Sequence, residues 1–329
     1  MSTQIEQVIG FDLGGTNCKS WFTNKETIIP TDIDLSNSSE NAVLEFLHSA
    51  AASNEGVTAI SVALPCTMIL DKGSRRILHT SSKFSRLCEE THRGVVKAME
   101  AHWSKKLQTQ VFIIDDGEAA SLEAIDILKN DPRGQTYENF VAVTLGTSIG
   151  VGFIFNSMPY RGPFTSRASH IILDPQGPWC PEDTHRGCWK SLAGVSARNE
   201  LALNMGLRDP QDRKHGLSLE AIAQKAKSGS KKAHLYFQYY AESIAKGVAA
   251  LINAVPVECV VIAGGVGTLG EMILIPLKEK LLRGDLLDPD LAPLVDIIHK
   301  NEFCVSRGAQ IYGLKRLARG KQCASEQTS

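Results

Sequence analysis

Several things are scarce in this 329-residue chain, and each shortage removes a class of function. Aromatic residues make up 6% of it, too few for the stacking platforms that hold single-stranded nucleic acids. Neither sign of charge dominates: 35 Lys and Arg stand against 36 Asp and Glu, for a formal net charge of -1. A chain that grips nucleic-acid phosphates normally carries a basic surplus or stripe, so no nucleic-acid partner is expected. Low-complexity sequence is absent apart from a short polar tail after Lys321. Long uninterrupted apolar runs are also missing. The nearest, Gly247 to Gly270, carries Asn253, Pro256 and Glu258 and ends in glycines, so it reads as a buried helix followed by a buried strand. No membrane association is expected. The opening Met-Ser-Thr-Gln-Ile-Glu lacks the basic and apolar blocks of a secretory signal. Eight cysteines (Cys18, Cys66, Cys88, Cys180, Cys188, Cys259, Cys304 and Cys323) show no regular framework, which favours reduced thiols and a cytoplasmic location.

What is present is the composition of an ordinary globular protein, 43% hydrophobic and 22% charged, long enough for two domains. Strand-like and helix-like segments alternate, which predicts an α/β fold. A hairpin of Val8–Phe11 and Cys18–Thr23 opens the chain. Helix Ser39–Ala52, strand Thr58–Ala63, a turn-rich stretch at Pro65–Gly73, helix Gly94–Lys106, strand Gln110–Ile114 and helix Glu118–Lys129 follow. After a polar break at Asn130–Gln135, strands Phe140–Leu145 and Gly150–Phe155 repeat the opening hairpin, with Gly146 lying 132 residues beyond Gly14. The repetition suggests duplicated halves. A loop-rich region runs from Arg161 to Cys188. Helices Ser218–Lys227 and Lys231–Asn253, strand Cys259–Ala263, helix Leu269–Leu282, strand Val295–His299 and helix Arg307–Arg319 complete the chain.

Five motifs carry chemistry. In Asp12-Leu-Gly-Gly-Thr-Asn-Cys-Lys19, Gly14 and Gly15 let backbone N–H groups approach phosphate oxygens, Thr16 and Lys19 add a hydroxyl and a charge, and Asp12 is placed to hold Mg²⁺ through water. A tight hairpin that merely needs glycine is the alternative. Gly146, Thr147 and Ser148 form a second such turn, and a pair of them makes a phosphate clamp. Asp115 and Asp116 stand at a strand's C-terminal end before a helix, where one carboxylate can take a proton from a hydroxyl and one can cap the helix. Gly265-x-Gly267-x-x-Gly270 fits a dinucleotide fingerprint on paper. The next predicted strand, however, ends in His299-Lys300 rather than in a ribose-binding acid, so a Gly264-Gly265 pair passing close to an adenine fits better. Finally, His170, Cys180, His185 and Cys188 are candidate zinc ligands of irregular spacing, or unrelated loop residues.

Asp12-Leu-Gly-Gly-Thr, Asp115-Asp116 before Ala119-Ala120, Leu145-Gly-Thr-Ser-Ile-Gly, Arg186-Gly-Cys188 and Ile262-Ala-Gly-Gly-Val-Gly267 occur in the order found in ROK-family sugar kinases, and the resemblance spans residues 8 to 319. It implies two ribonuclease-H-like (actin-like ATPase) α/β domains flanking a cleft, ATP and Mg²⁺ as cofactors, a small-molecule sugar substrate and a homodimer. Asp116 falls on the family's catalytic aspartate. Gly14, Gly15, Thr16, Lys19, Gly146, Thr147, Ser148, Gly264 and Gly265 fall on the ATP side, and Asp115, Asp116, Arg167, His170 and Lys190 on the sugar side. The expected domains are 1–116 with 307–320, then 117–306, with 321–329 a polar tail.

Three departures from the family pattern stand out. Asp115 replaces an Asn. Arg167 and Lys190 replace two glutamates, in Arg167-Ala-Ser-His170 and Gly187-Cys-Trp-Lys190. Pro181 and Asp183 occupy two cysteine positions of the family's zinc motif, which leaves Cys180 and His185 as substitute ligands. Arg and Lys cannot accept hydrogen bonds. The sugar is therefore expected to carry an anionic or acceptor-rich group near them, unless a neighbour such as Glu182 supplies the carboxylate. Three other roles remain: a non-catalytic sugar sensor, a kinase using another donor such as polyphosphate, and a family repressor. The repressor needs a DNA-reading helix that the eleven residues before Asp12 do not offer.

Overall fold

The computed structural model describes residues 7–14, 17–23, 25–30, 40–80, 95–129, 135–146, 148–162, 165–212, 214–283, 286–288, 290 and 303–326. Gly15, Thr16, Thr147 and the strand expected at Val295–His299 lie outside them.

The first sheet has the order β3-β2-β1-β4-β7, built from β1 (Val8–Leu13), β2 (Asn17–Phe22), β3 (Lys25–Pro30), β4 (Ala59–Leu64) and β7 (Gln110–Asp115). β1 runs antiparallel to β2 and parallel to β4, which is parallel to β7. Ile9, Phe11 and Leu13 alternate onto one face, where they meet α1 (Glu40–Ala52) through Val43 and Leu47 and α2 (Val96–Leu107) through Met99 and Trp103. The other face takes α9 (Cys304–Glu326), which also packs on α3 (Asp116–Lys129). There Gly308 leaves no room for a side chain, because a Cβ would sit 1.8 Å from the Ala119 carbonyl oxygen.

The second sheet is β10-β9-β8-β11, from β8 (Phe140–Leu145), β9 (Ile149–Phe155), β10 (Met158–Pro159) and β11 (Cys259–Ala263), with β11 parallel to β8. Its order matches β3-β2-β1-β4 strand for strand, the arrangement anticipated from the two glycine turns. It is accompanied by α4 (Trp189–Ala193), α5 (Val195–Asn204), α6 (Leu219–Lys227), α7 (Lys231–Ala254) and α8 (Glu271–Leu282).

Several elements differ from the sequence reading, among them β3, α4 and α5, which it did not contain. The stretch read as turn-rich is a hairpin of β5 (Cys66–Asp71) and β6 (Ser74–Thr80), with Lys72 and Gly73 at positive φ in its turn. The C-terminal helix starts at Cys304 and continues to Glu326, into the segment expected to be a polar tail.

The chain divides into one compact unit of Met1–Thr136, Gly152–Ser166 and Phe303–Ser329, and another of Tyr137–Val151 and Arg167–Glu302. The boundary expected after Asp116 is thereby moved. α3 belongs to the first unit because α9 lies on it, and residues 152–166 follow because Gly152 fits against Gly117 and Ser121 and Arg161 pairs with Glu118. Among the described residues no helix is long and apolar enough to cross a membrane.

Candidate active-site residues and metal centre

In the first unit the β1–β2 register sets Asp12 opposite Lys19. The Gly14 amide donates to the Asp12 carbonyl oxygen at 3.0 Å and closes the start of the turn. Burial pushes the Asp12 carboxyl up to about 6, with Lys19 opposing the shift. A buried carboxylate of this kind suits a hard cation, which would offset the cost of its charge.

β7 ends at Asp115 and α3 begins at Asp116, and the two carboxylates part company there. Asp115 is buried, and its Oδ1 accepts the Glu118 amide at 2.9 Å as a helix cap. Burial and the neighbouring Glu118 push its carboxyl up to about 7, against the pull of Arg75. Asp116 is half-buried, and its Oδ1 accepts the Gly117 amide at 2.8 Å. At the first turn of α3 the free amides favour a carboxylate.

Around this turn lies a network that motif reading missed. Glu118 takes Arg75 of β6 on one oxygen and Arg161 on the other, and Arg75 also reaches Asp115 Oδ2 at 3.7 Å. The Tyr312 hydroxyl of α9 accepts from Arg75 at 3.3 Å. These residues are spread over more than 200 positions of sequence, so no local spacing announced them.

In the second unit, the turn after β8 and the glycine motif after β11 come side by side: the Val266 amide donates to the Leu145 carbonyl oxygen at 3.0 Å. Among the described residues nothing lies within 4 Å of where a Cβ would be at Gly146 or Gly265. Packing within the protein therefore does not require glycine at either position, and the bare backbone is open to a ligand. The Ser148 hydroxyl donates to Glu182 Oε1 at 3.0 Å.

The candidate zinc ligands converge. One donor atom from each of His170, Cys180, His185 and Cys188 lies within 4.8 Å of all the others. His170 Nδ1 is 3.4 Å from His185 Nε2 and 3.6 Å from Cys180 Sγ. A tetrahedral zinc with bonds of about 2.0–2.3 Å has ligand–ligand edges of about 3.3–3.8 Å, so this donor set fits the ion. The loop is closed by the Cys180 amide on the His185 carbonyl oxygen and by Gly187, whose φ of +65° and 1.4 Å Cβ clearance from the Asp174 carbonyl oxygen admit no side chain. Burial, with Lys190 and Arg167 nearby, pushes His170 down to about 4, the neutral form a metal needs. Asp183 is not one of the four. Its Oδ2 lies 3.4 Å from His185 Nδ1, leaving Nε2 for a metal.

The two cations expected to greet an anionic substrate group are already paired. Arg167 donates to Asp183, and Lys190 donates to Glu182 at 2.6 Å. Asp183 is held down to about 2, first by Arg167. Burial alone would raise Glu182, but the Lys190 ammonium and the Ser148 hydroxyl bring it below the usual carboxylate range.

The ROK family model matches residues 8–309. The chain belongs to the ROK family. A ROK glucokinase from Streptomyces griseus, solved with glucose and AMPPNP, has the same fold: the TM-score is 0.75 at 20% identity, over 92% of this chain and 98% of that one. The fold is accordingly two actin-like ATPase domains. By sequence the chain is 23% identical over 311 residues to a Thermotoga maritima glucokinase, covering 89% of this chain and 92% of the relative. It is 26% identical over 187 residues to a Haemophilus influenzae N-acetylmannosamine kinase, covering 56% and 57%. Arg167 and Lys190 are thus each paired with a carboxylate of one loop, Asp183 and Glu182.

Proposed function

We propose that this protein is a sugar kinase, transferring the γ-phosphoryl group of ATP to a hydroxyl of a neutral sugar with Asp116 as general base. The observation that carries the reading is the open backbone of Gly146 and Gly265, brought together by the Leu145–Val266 bond. Bare backbone there lets phosphate oxygens approach amide donors, with Ser148 beside them. Gly14, Gly15, Thr16 and Lys19 of the first turn, and Thr147 of the second, take the matching roles, and Gly264 and Gly265 flank the adenine.

The chemistry is in-line displacement. A sugar hydroxyl oxygen attacks the γ-phosphorus, the bond to the bridging β–γ oxygen breaks, ADP leaves, and the hydroxyl proton passes to Asp116. The Gly117 amide, donating to Asp116 Oδ1, holds the carboxylate at the head of α3. Mg²⁺, when bound, neutralises phosphate charge, and Asp12 would hold it through water. His170, Cys180, His185 and Cys188 would hold a structural Zn²⁺ that ties the loop carrying Glu182 and Asp183. With Arg167 and Lys190 each neutralised, a neutral sugar suits this loop better than an anionic one. A cytoplasmic homodimer is the setting that the ROK resemblance implies.

The test is ADP release with glucose, N-acetylmannosamine and a sugar acid as acceptors and ATP or polyphosphate as donor. A neutral sugar with ATP is the expected pair. Asp116→Asn should lower kcat by about 10²–10⁴-fold while ATP still binds. Equal sugar-dependent turnover in both proteins would sink the mechanism, and a sugar acid as best substrate would sink the neutral-sugar reading.

A further inference from the structure

The second glycine turn is gripped by a residue that no motif contains. Arg198 of α5 donates from Nη2 to the Gly146 carbonyl oxygen at 2.8 Å. Its backbone is held in turn, since the Tyr236 hydroxyl of α7 donates to the Arg198 carbonyl oxygen at 3.3 Å. The guanidinium lies over the Tyr240 ring, 5.8 Å from its centroid.

Arg75, Arg161, Arg167, Lys190, Arg307 and Arg316 each have a carboxylate partner. Among the described residues Arg198 has none, and its Nε is buried with no hydrogen-bond acceptor. Tyr240 is no substitute anion, because burial pushes its phenol up to about 12 and keeps it neutral. A half-buried cation with an idle donor is costly unless an anion comes to it. The residue it grips, Gly146, has no atom of the described residues within 4 Å of where a Cβ would be.

We infer that Arg198 is the positioning residue of the second turn and supplies it with an uncompensated positive charge whose counter-ion is the polyphosphate of the bound nucleotide. The inference rests on the reading of that turn as a phosphate site. Two functions are combined: the hydrogen bond fixes the Gly146 carbonyl, and the charge raises the affinity for phosphate. Arg167 and Lys190 differ in this respect, since Asp183 and Glu182 already cancel them.

The experiment measures ATP, ADP and adenosine binding by calorimetry at several salt concentrations, with kcat and both KM values, for wild type and Arg198→Met, Arg198→Gln and Arg198→Lys. In Arg198→Met the Kd for ATP should rise about 10–100-fold, with a flatter salt dependence. Adenosine binding and the sugar KM should move less than threefold. Arg198→Gln retains a donor without charge, and Arg198→Lys retains charge without the planar fork. The lysine variant should recover most of the salt dependence, which a merely structural role would not produce. Thermal melts identify any variant that fails to fold, and the conservative lysine variant then decides. ATP binding unchanged in both strength and salt dependence by Arg198→Met overturns the inference alone. Wild type that binds no ATP overturns the inference together with the kinase reading.

Discussion

Asp115 and Asp116 are the same residue type one position apart, and their environments give them different work. Asp115 is spent on the helix cap and lies buried beside Arg75 and Glu118, while Asp116 stays half-buried at the open first turn. Folding raises the Asp115 carboxyl from 3.8 to about 7. For an acid raised on folding, the contribution to stability is fully present below about pH 4 and is lost as pH climbs through about 7. Asparagine preserves the capping oxygen and cannot ionise. Asp115→Asn should therefore melt about 2–4 °C higher than wild type at pH 8, with the gap closing by pH 4. A gap that stays constant across that range would contradict the assignment. That one aspartate would cap the helix was legible from strand-then-helix order. That it is Asp115 required the coordinates, and so did Arg75, forty positions upstream.

At the level of elements, helices with strong apolar periodicity and buried strands were readable, and those without were not. The sequence reading had no helix at Val195–Asn204. Ala202 is its only buried residue, so it offers almost no stripe, yet it carries Arg198. The β5–β6 hairpin was read as loop because Pro65 and Gly73 look like turn markers, whereas here they flank and close two strands. The placement of α3, and with it of Asp116, depends on how closely α9 approaches. A methyl group at Gly308 would meet the Ala119 carbonyl oxygen and force the helices apart. Gly308→Ala should destabilise by about 1–3 kcal/mol and lower kcat while leaving ATP affinity within a few-fold, as read by thermal melts and steady-state kinetics. Unchanged melting would show that the helices have slack at this point.

The chain has two sheets of like strand order and two compact units, and its four tryptophans divide evenly between the units: Trp21 and Trp103 in the first, Trp179 and Trp189 in the second. If the four-residue cluster holds zinc, chelation removes a ligand that stabilises the second unit only. In a Trp21→Phe/Trp103→Phe variant, chelator should lower the fluorescence melting temperature. In the converse Trp179→Phe/Trp189→Phe variant it should move little, and equal shifts in both would contradict a metal confined to that unit. Duplication, the two glycine turns and the strand-end aspartates were determined by the sequence alone, because backbone chemistry in tight turns and apolar periodicity in strands are local properties. Only the tertiary structure decided which charges cancel. Ion pairing depends on distances between residues far apart in the chain, and so it paired Arg167 with Asp183 and Lys190 with Glu182, and left Arg198 without a carboxylate partner among the described residues.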